Sequence, residues 1–379
     1  MQKLFLSLVI GALFITSSCT KSKGTGNPPV TQNDITDIDN AVKNFMAAYN
    51  IPGTSIAITK DDKLVYVKSY GQMSASDNTP INNNHLFRIA SVSKPITAVG
   101  IMKLLEANKL TLDSKIFGTG GILGNDYPSA NLSSVSDITV RHLLQHTSNA
   151  WPNDGNDPMF KQLSYNFSQL ISWTLDNYNA ATTRGVYRYS NFGYCLLGRV
   201  IEKLSGKSYE QFIKDEVLTP CGISKMTLGG STLAERRTNE VIYTGQGGFS
   251  PYAYNVPRMD AHGGWIASAT DLARFMVRVN GVSGKADILQ PGTINTMVTR
   301  SVPSSNYACG WGVNNVGNWW HTGGIPGTAT EIIRSNNGFC WVVLCNSRSS
   351  SSNFDTALDG LLWPFIQSSS TPWQNIDQF

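Results

Sequence analysis

The sequence has few charged residues. Asp, Glu, Lys and Arg make up 15% of its 379 residues, against roughly 25% in typical soluble domains. The formal net charge is only +4, and the basic residues are scattered, so we expect no nucleic-acid partner. Asn, Ser, Thr and Gly take the place of charged residues, which suits an exported protein. The hydrophobic fraction of 41% is large enough for a sizeable core.

Several catalytic and metal-binding motifs are also missing. No Gly-x-Ser-x-Gly occurs, which disfavours an ordinary Ser-His-Asp hydrolase. Cys-x-x-Cys, His-x-His and His-Glu-x-x-His are absent as well. His142 and His146 lie one helical turn apart but have no Glu or Asp in ligand register, which favours a structural role over a metal site. We therefore expect neither a metal ion nor a cofactor.

The N-terminal apolar run is too short to cross a bilayer. Residues 4–15 form a run of 12 residues, whereas a spanning helix needs about 20. The small residues after it end in Cys19, and this site resembles a bacterial lipoprotein processing site. The sequence thus predicts a signal peptide at 1–18, a lipid-modified Cys19 and a flexible tether over 19–33. We expect a cell-envelope protein held to the membrane only by this lipid; simple secretory cleavage is the alternative.

The six cysteines do not indicate a disulfide framework. If Cys19 carries a lipid, five remain, and an odd number cannot all pair. Cys340 and Cys345 lie five positions apart in a strand-like run, so their side chains should point to opposite faces of a sheet. We expect buried thiols.

Apolar periodicity and turn residues predict the order of helices and strands. The predicted helices are 34–49, 96–107, 140–146, 167–178, 192–204, 271–279, 291–298 and 354–366. The predicted strands are 54–59, 64–70, 307–313, 329–334 and 339–346. A loop-rich stretch rich in Gly and Tyr covers 229–264.

This order predicts an α/β (α+β) fold in which both chain ends build one antiparallel sheet flanked by helices. A mostly helical second lobe, about residues 95–260, is inserted into the sheet lobe. The whole domain covers 34–367, and 368–379 form a C-terminal tail. The active site should lie in the cleft between the lobes. We expect a monomer.

Three short patterns stand in one order along the chain. They are Ser91-Val92-Ser93-Lys94, Tyr189-Ser190-Asn191 and His321-Thr322-Gly323. Taken singly, these residues have ordinary interpretations, such as a helix cap for Ser91 or for Asn191. Together, and in this order, they indicate a serine acyl-transfer enzyme.

The chemistry needs a base for the serine. A serine hydroxyl is a poor nucleophile until its proton is removed, and helical spacing places Lys94 on the same face as Ser91. Lysine and tyrosine titrate near 10.4 and 10 in water, so Lys94 or Tyr189 must have a perturbed pKa to act as the base. The residues alone leave both possibilities open.

The three patterns resemble the motifs of the serine beta-lactamase and penicillin-binding-protein superfamily. The similar branch contains class C beta-lactamases, D-Ala-D-Ala carboxypeptidases and related esterases. Supporting stretches at 51–53, 138–148 and 263–268 resemble it too, and the likeness runs from about residue 34 to 366. The resemblance implies a beta-lactamase-like fold.

The resemblance also implies roles for individual residues. Ser91 would be the acylated nucleophile, with Lys94 as its proton partner, and Tyr189 the general base. Asn191 would hold the substrate amide. The third motif would supply His321 and Thr322 to the wall where a substrate carboxylate rests, and Gly323 completes that motif. The oxyanion hole would be formed by the N–H groups of Ser91 and Gly324; Asn153 or Asp154 would line the cleft mouth.

The implied function is a serine hydrolase that acts on beta-lactam or D-Ala-D-Ala-like amides, including cell-wall peptides, through an acyl-enzyme at Ser91. His321 departs from the Lys of most beta-lactamases, and a histidine is only partly charged near neutrality. A carboxylesterase with the same residues is therefore an alternative. A third hypothesis is a catalytically silent lipoprotein that binds cell-wall peptides, but the intact Ser91, Lys94 and Tyr189 argue against it.

Overall fold

The computed structural model of the protein describes residues 35–304 and 306–379. The predicted signal peptide and the predicted lipidation at Cys19 lie outside the described residues, as does the tether. Over the part of the chain that is described, no helix is long and apolar enough to cross a membrane.

Strands lie toward both ends of the described chain, and most of the helices lie between them. The helices are α1 (Thr36–Tyr49), α2 (Ser93–Glu106), α3 (Val140–Leu144), α4 (Phe167–Asn177), α5 (Asn191–Ser205), α6 (Tyr209–Ile213), α7 (Asp260–Gly263), α8 (Ala269–Met276), α9 (Pro291–Val298), α10 (Phe354–Gly360) and α11 (Trp363–Gln367). The strands are β1 (Gly53–Lys60), β2 (Lys63–Ser74), β3 (Asp77–Pro80), β4 (Phe87–Arg88), β5 (Thr227–Leu228), β6 (Trp265–Ala267), β7 (Gly312–Val313), β8 (Trp319–Ile325), β9 (Thr328–Arg334) and β10 (Phe339–Cys345).

Both ends of the chain contribute to one antiparallel sheet. Its seven strands run in the order β3-β2-β1-β10-β9-β8-β7, so the N-terminal β1 pairs directly with the C-terminal β10. Asp61 and Asp62 form the tight turn between β1 and β2, with φ of 47° and 63°, as two-residue hairpin turns require. A small second sheet has the strand order β4-β6-β5, and its strand β4 ends shortly before helix α2 begins. This architecture confirms the predicted fold class.

The large sheet buries both of its faces. One face packs in the main core with the inner side of α2, α5 and α8, and the other packs beneath α1, α10 and α11. Alternation along β10 places Cys340 in the first core and Cys345 in the second, as predicted. Of the described cysteines, all five are buried thiols.

Three features of the C-terminal third differ from the predictions, and a fourth adds to them. The predicted strand 307–313 is regular only at Gly312–Val313. Strand β8, which carries the third motif, was not among the predicted strands. The predicted helix 354–366 is two helices, because Pro364 lacks an N–H group and is tolerated only in the first turn of α11. The predicted tail packs back on the sheet: the backbone N–H of Gln378 donates to Leu64 O at 3.0 Å.

Candidate active site

Ser91 lies in a tight 3₁₀ turn, Ala90–Val92, between β4 and α2. Ala90 has φ of 43°, a left-handed conformation that residues with a Cβ rarely adopt and that is typical of functional sites. Strand β8 passes very close to this turn. A Cβ on Gly323 would lie 2.2 Å from Ile89 O and 3.0 Å from Ser91 N, so only glycine fits there. The third motif is thereby packed against the backbone of the candidate nucleophile.

Lys94 lies one helical turn after Ser91, and its side chain is buried. Its Nζ lies 3.1 Å from Ser91 Oγ, 2.7 Å from Asn191 Oδ1 and 2.9 Å from His262 O. The two carbonyl oxygens can only accept, so they take two protons of the amine. The third position of the nitrogen faces Ser91. Burial lowers the pKa of Lys94 well below its usual value, and the nearby carboxylate of Asp157 opposes this shift.

Tyr189 lies between the amine of Lys94 and the ring of His146. The Ser91 hydroxyl acts to lower the pKa of its phenol, and Lys94 Nζ lies 4.8 Å from its ring centroid. The His146 ring lies 4.2 Å from it between centroids, and His146 Nδ1 accepts a 3.1 Å hydrogen bond from the N–H of Ser190. Burial raises the pKa of Tyr189 above its usual range, which keeps the phenol protonated at neutral pH.

Asn191 connects the amine of Lys94 to a buried carboxylate. Ser190 caps α5 by accepting from the N–H of Gly193 at 3.1 Å, so the interpretation of Asn191 as the helix cap is wrong. The Asn191 amide donates to Asp157 Oδ2 at 2.6 Å, and its backbone N–H donates to Asn153 Oδ1 at 2.9 Å. Burial raises the pKa of Asp157, and the hydrogen bonds and Lys94 oppose this shift.

His321 is neutral in its buried position on β8. Its Nδ1 lies 2.7 Å from Thr322 O, which can only accept, so Nδ1 carries the proton. Its Nε2 lies 3.1 Å from the Tyr307 hydroxyl and accepts from it. Burial lowers the pKa of His321 to about 3, with Lys94 as a second cause. Thr322 faces the opposite side of the sheet, where it pairs with Glu331.

The remaining predicted residues lie at the rim of the site. A Cβ on Gly324 would lie 2.5 Å from Arg348 Nη1, the end of a flexible side chain that can move aside. Of the two candidates for the cleft mouth, Asn153 lines the cleft, whereas Asp154 forms an exposed ion pair with Arg188.

One cleft with a cavity volume of about 870 Å³ brings these groups together. The predicted residues that line it are Ser91, Tyr189, Asn191, His321, Thr322, Gly323 and Gly324. Sequence reasoning missed Asp157 and His262, because each reaches the site through a tertiary contact that no local spacing indicates. It also missed the apolar residues that the loop-rich stretch 229–264 contributes to the cleft.

A family model and several known proteins are similar to this chain. A family model described as Beta-lactamase matches residues 38–361. Penicillin-binding protein 4* of Bacillus subtilis is 28% identical over 65% of this chain and 50% of that protein. Protein flp of Staphylococcus aureus is 24% identical over 84% of this chain and 64% of that protein. Unguisins hydrolase ungD' of Aspergillus campestris is 24% identical over 89% of this chain and 66% of that protein. The chain thus spans about half to two thirds of these relatives.

Solved structures share the fold. The octameric penicillin-binding protein homologue from Pyrococcus abyssi has a TM-score of 0.70 at 25% identity, over 87% of this chain and 78% of that one. The D-amino acid amidase from Ochrobactrum anthropi SV3, complexed with L-phenylalanine amide, has a TM-score of 0.69 at 21% identity, over 86% of this chain and 98% of that one.

Proposed function

Because the chain belongs to the beta-lactamase family, whose relatives here include hydrolases, we propose that it is a serine hydrolase with an acyl-enzyme at Ser91. The observation that carries the proposal is the contact of one buried amine, Lys94 Nζ, with Ser91 Oγ at 3.1 Å. Tyr189 lines the same cleft as this serine, and the Ser91 hydroxyl acts to lower the pKa of its phenol. A nucleophile with a proton acceptor and a proton donor beside it meets the needs of acyl transfer.

In the proposed acylation step, neutral Lys94 is the base. Its two amine protons are donated to Asn191 Oδ1 and His262 O, which leaves its lone pair for the proton of Ser91. The Ser91 oxygen then bonds to the substrate carbonyl carbon. Tyr189 gives its proton to the leaving nitrogen or oxygen as the bond between that atom and the carbonyl carbon breaks, and the Lys94 ammonium restores the proton to Tyr189. The lowered pKa of Lys94 and the raised pKa of Tyr189 support this division, in place of Tyr189 as the first base.

In the proposed deacylation step, water replaces the leaving group. Lys94, neutral again, removes a proton from the water through Tyr189, and the water oxygen bonds to the ester carbon. The Ser91–acyl bond breaks, the acid product leaves, and the Lys94 ammonium returns its proton to Ser91 Oγ. We propose that the N–H groups of Ser91 and Gly324 stabilise the oxyanion in both steps. The close approach of β8 to Ser91 N supports this assignment.

The first candidate substrates are beta-lactam or D-Ala-D-Ala-like amides, as the resemblance implies. The second candidate function is a carboxylesterase with the same residues. A specific observation favours it: His321 is neutral, and both of its ring nitrogens are engaged within the protein. The third motif therefore offers no charge to the carboxylate that both amide classes carry.

Intact-mass measurement separates these functions. The purified protein is incubated with benzylpenicillin or with a short p-nitrophenyl ester, and its mass is followed over time. A lasting penicillin adduct supports a penicillin-binding peptidase, and a transient one supports a beta-lactamase. Rapid ester turnover without a penicillin adduct supports the esterase. If the protein shows no adduct with benzylpenicillin and no turnover of the ester, the proposed function is overturned and the silent lipoprotein is favoured.

A further inference from the structure

We propose that the cleft selects uncharged acyl donors with an apolar substituent, which packs on an apolar wall formed by Phe160, Tyr254, Met259 and Ile325. This inference rests on the proposed function and adds a substrate class to it. Two independent observations carry it, the occupied nitrogens of His321 and the composition of the cleft beside Ser91.

The first observation concerns charge. Of the described residues that line the cleft, the formally charged ones are Glu331, Arg348 and Asp355. Arg348 Nη2 lies 2.6 Å from Asp355 Oδ2, so its charge is already paired. Glu331 is buried, and neither of its oxygens has a hydrogen-bond donor among the described residues. With His321 neutral, a carboxylate in this cleft would meet no unpaired cation and would lose its water at a net cost.

The second observation concerns the wall itself. Met259 and Ile325 are buried and pack in one cluster with Ala90, the residue directly before the nucleophile. Phe160 and Tyr254 pack against the same cluster, and their ring centroids lie 5.4 Å apart in an edge-to-face arrangement. The wall therefore begins beside Ser91. A substituent on the reacting carbonyl must lie within a few bonds of this residue.

The wall also continues outward. Phe249 lines the same cleft, and its side chain is 67% exposed. Such exposure is unusual for phenylalanine, which is most often buried. An extended apolar substituent would cover this ring as well as the wall. Each methylene buried in this way should raise kcat/KM by roughly three- to fourfold.

The test compares matched esters. The kcat/KM values of p-nitrophenyl acetate, butyrate and hexanoate are divided by the hydroxide rate of each ester. The p-nitrophenyl monoesters of succinate and adipate have the same number of acyl carbons as the butyrate and the hexanoate but end in a carboxylate. We expect an increase of more than about tenfold from acetate to hexanoate. The carboxylate-bearing esters should be slower than their neutral counterparts by a similar factor. A flat chain-length profile, or faster turnover of the carboxylate esters, would overturn the inference.

Two variants assign the effect to the wall. Phe160→Ala and Met259→Ala should each flatten the chain-length profile by several-fold while turnover of the acetate ester persists. Val316→Ala is the control, because Val316 is 55% exposed and does not line the cleft; it should keep the full profile. A wall variant that keeps the full profile would contradict the inference.

The result also distinguishes this inference from the proposed function. Acetate turnover that disappears in Ser91→Ala upholds the proposed function whatever the chain-length profile. His321→Lys adds a positive charge to the third motif and should raise the relative rate of the carboxylate esters. If it does not, the assignment of charge selectivity to His321 is wrong.

Discussion

The two sides of the cleft use their polar groups differently. On the helical side, Lys94, Asn191 and Asp157 form a continuous network, with hydrogen bonds of 2.6 and 2.7 Å that lead from the carboxylate to the amine. On the strand side, both ring nitrogens of His321 are hydrogen-bonded within the protein, Nδ1 to Thr322 O and Nε2 to the Tyr307 hydroxyl. The helical side can therefore transfer protons, whereas the strand side forms part of the cleft wall and carries the uncharged ring of His321. This difference suggests that the reaction is determined by one side of the cleft and substrate selection by the other.

The largest effect is expected when the nucleophile is removed from the helical side. Ser91→Ala should lower kcat/KM by about a thousandfold or more, because it removes the hydroxyl that contacts Lys94 Nζ. The strand-side variant Thr322→Ala should cost less than about tenfold, since this exposed side chain lies on the opposite sheet face from His321. Ester hydrolysis measures both. Equal losses in the two variants would contradict the comparison.

A smaller effect is expected at the residue that supports Tyr189. His146→Phe keeps an aromatic ring but removes the acceptor for the N–H of Ser190, and an unpartnered buried donor costs about 1–3 kcal/mol. His146→Asn retains an acceptor and should cost less. Urea unfolding measures the free energy of unfolding of each protein. A His146→Phe protein as stable as the wild type would show that this hydrogen bond has no such role.

The next prediction concerns the charge behind Lys94. Asp157 raises the pKa of Lys94 against the effect of burial, so Asp157→Asn should lower that pKa further. The acid limb of the kcat/KM profile should move to lower pH, and the rate at neutral pH should change by less than about tenfold. Asp154→Asn is the control, because Asp154 is exposed and paired with Arg188. An acid limb that does not move would argue against Lys94 as the base.

The smallest effect is expected under the strand side, at Glu331. Burial raises its pKa, and Asp359 and Asp355 of α10 raise it further, while Arg348 pairs with Asp355. The folded state thus binds this proton more tightly than the unfolded state. The resulting stability is present below the unfolded-state pKa of about 4.3 and is lost as pH rises through the folded-state pKa.

Glu331→Gln should therefore stabilise the protein at pH 8 by about 1 kcal/mol, and the advantage should shrink at pH 4. Thermal unfolding at the two pH values measures it. A variant less stable than the wild type at pH 8 would mean that the ionised carboxylate has a stabilising role.

Much of the fold could be predicted because periodicity reports burial. The amphipathic helix α1 and the hairpin with Asp61 and Asp62 at its turn have strong local signals. Strand β8 does not, because its His-Thr-Gly-Gly segment has two glycines and little strand propensity. It forms a strand because β9 pairs with it and because Gly323 fits against the Ser91 turn.

The residues of the candidate site also divide into those that a local sequence pattern marks and those that only the fold brings together. Ser91 and Lys94 share a helix face, so their contact follows from spacing alone. Met259 lines the cleft and Asp157 bonds to Asn191 through tertiary packing, and neither residue has a local pattern that marks it. The state of His321 also depended on the fold, since only the structure places Tyr307 beside its Nε2.

The most direct test of the central claim is to locate the acyl group. The wild-type protein and Ser91→Ala are mixed with p-nitrophenyl butyrate, quenched in acid within seconds, digested and mapped by mass spectrometry. We predict a butyryl group on Ser91 of the wild-type protein and none in the variant. A butyryl group on another residue, or ester turnover that persists undiminished in Ser91→Ala, would contradict the account.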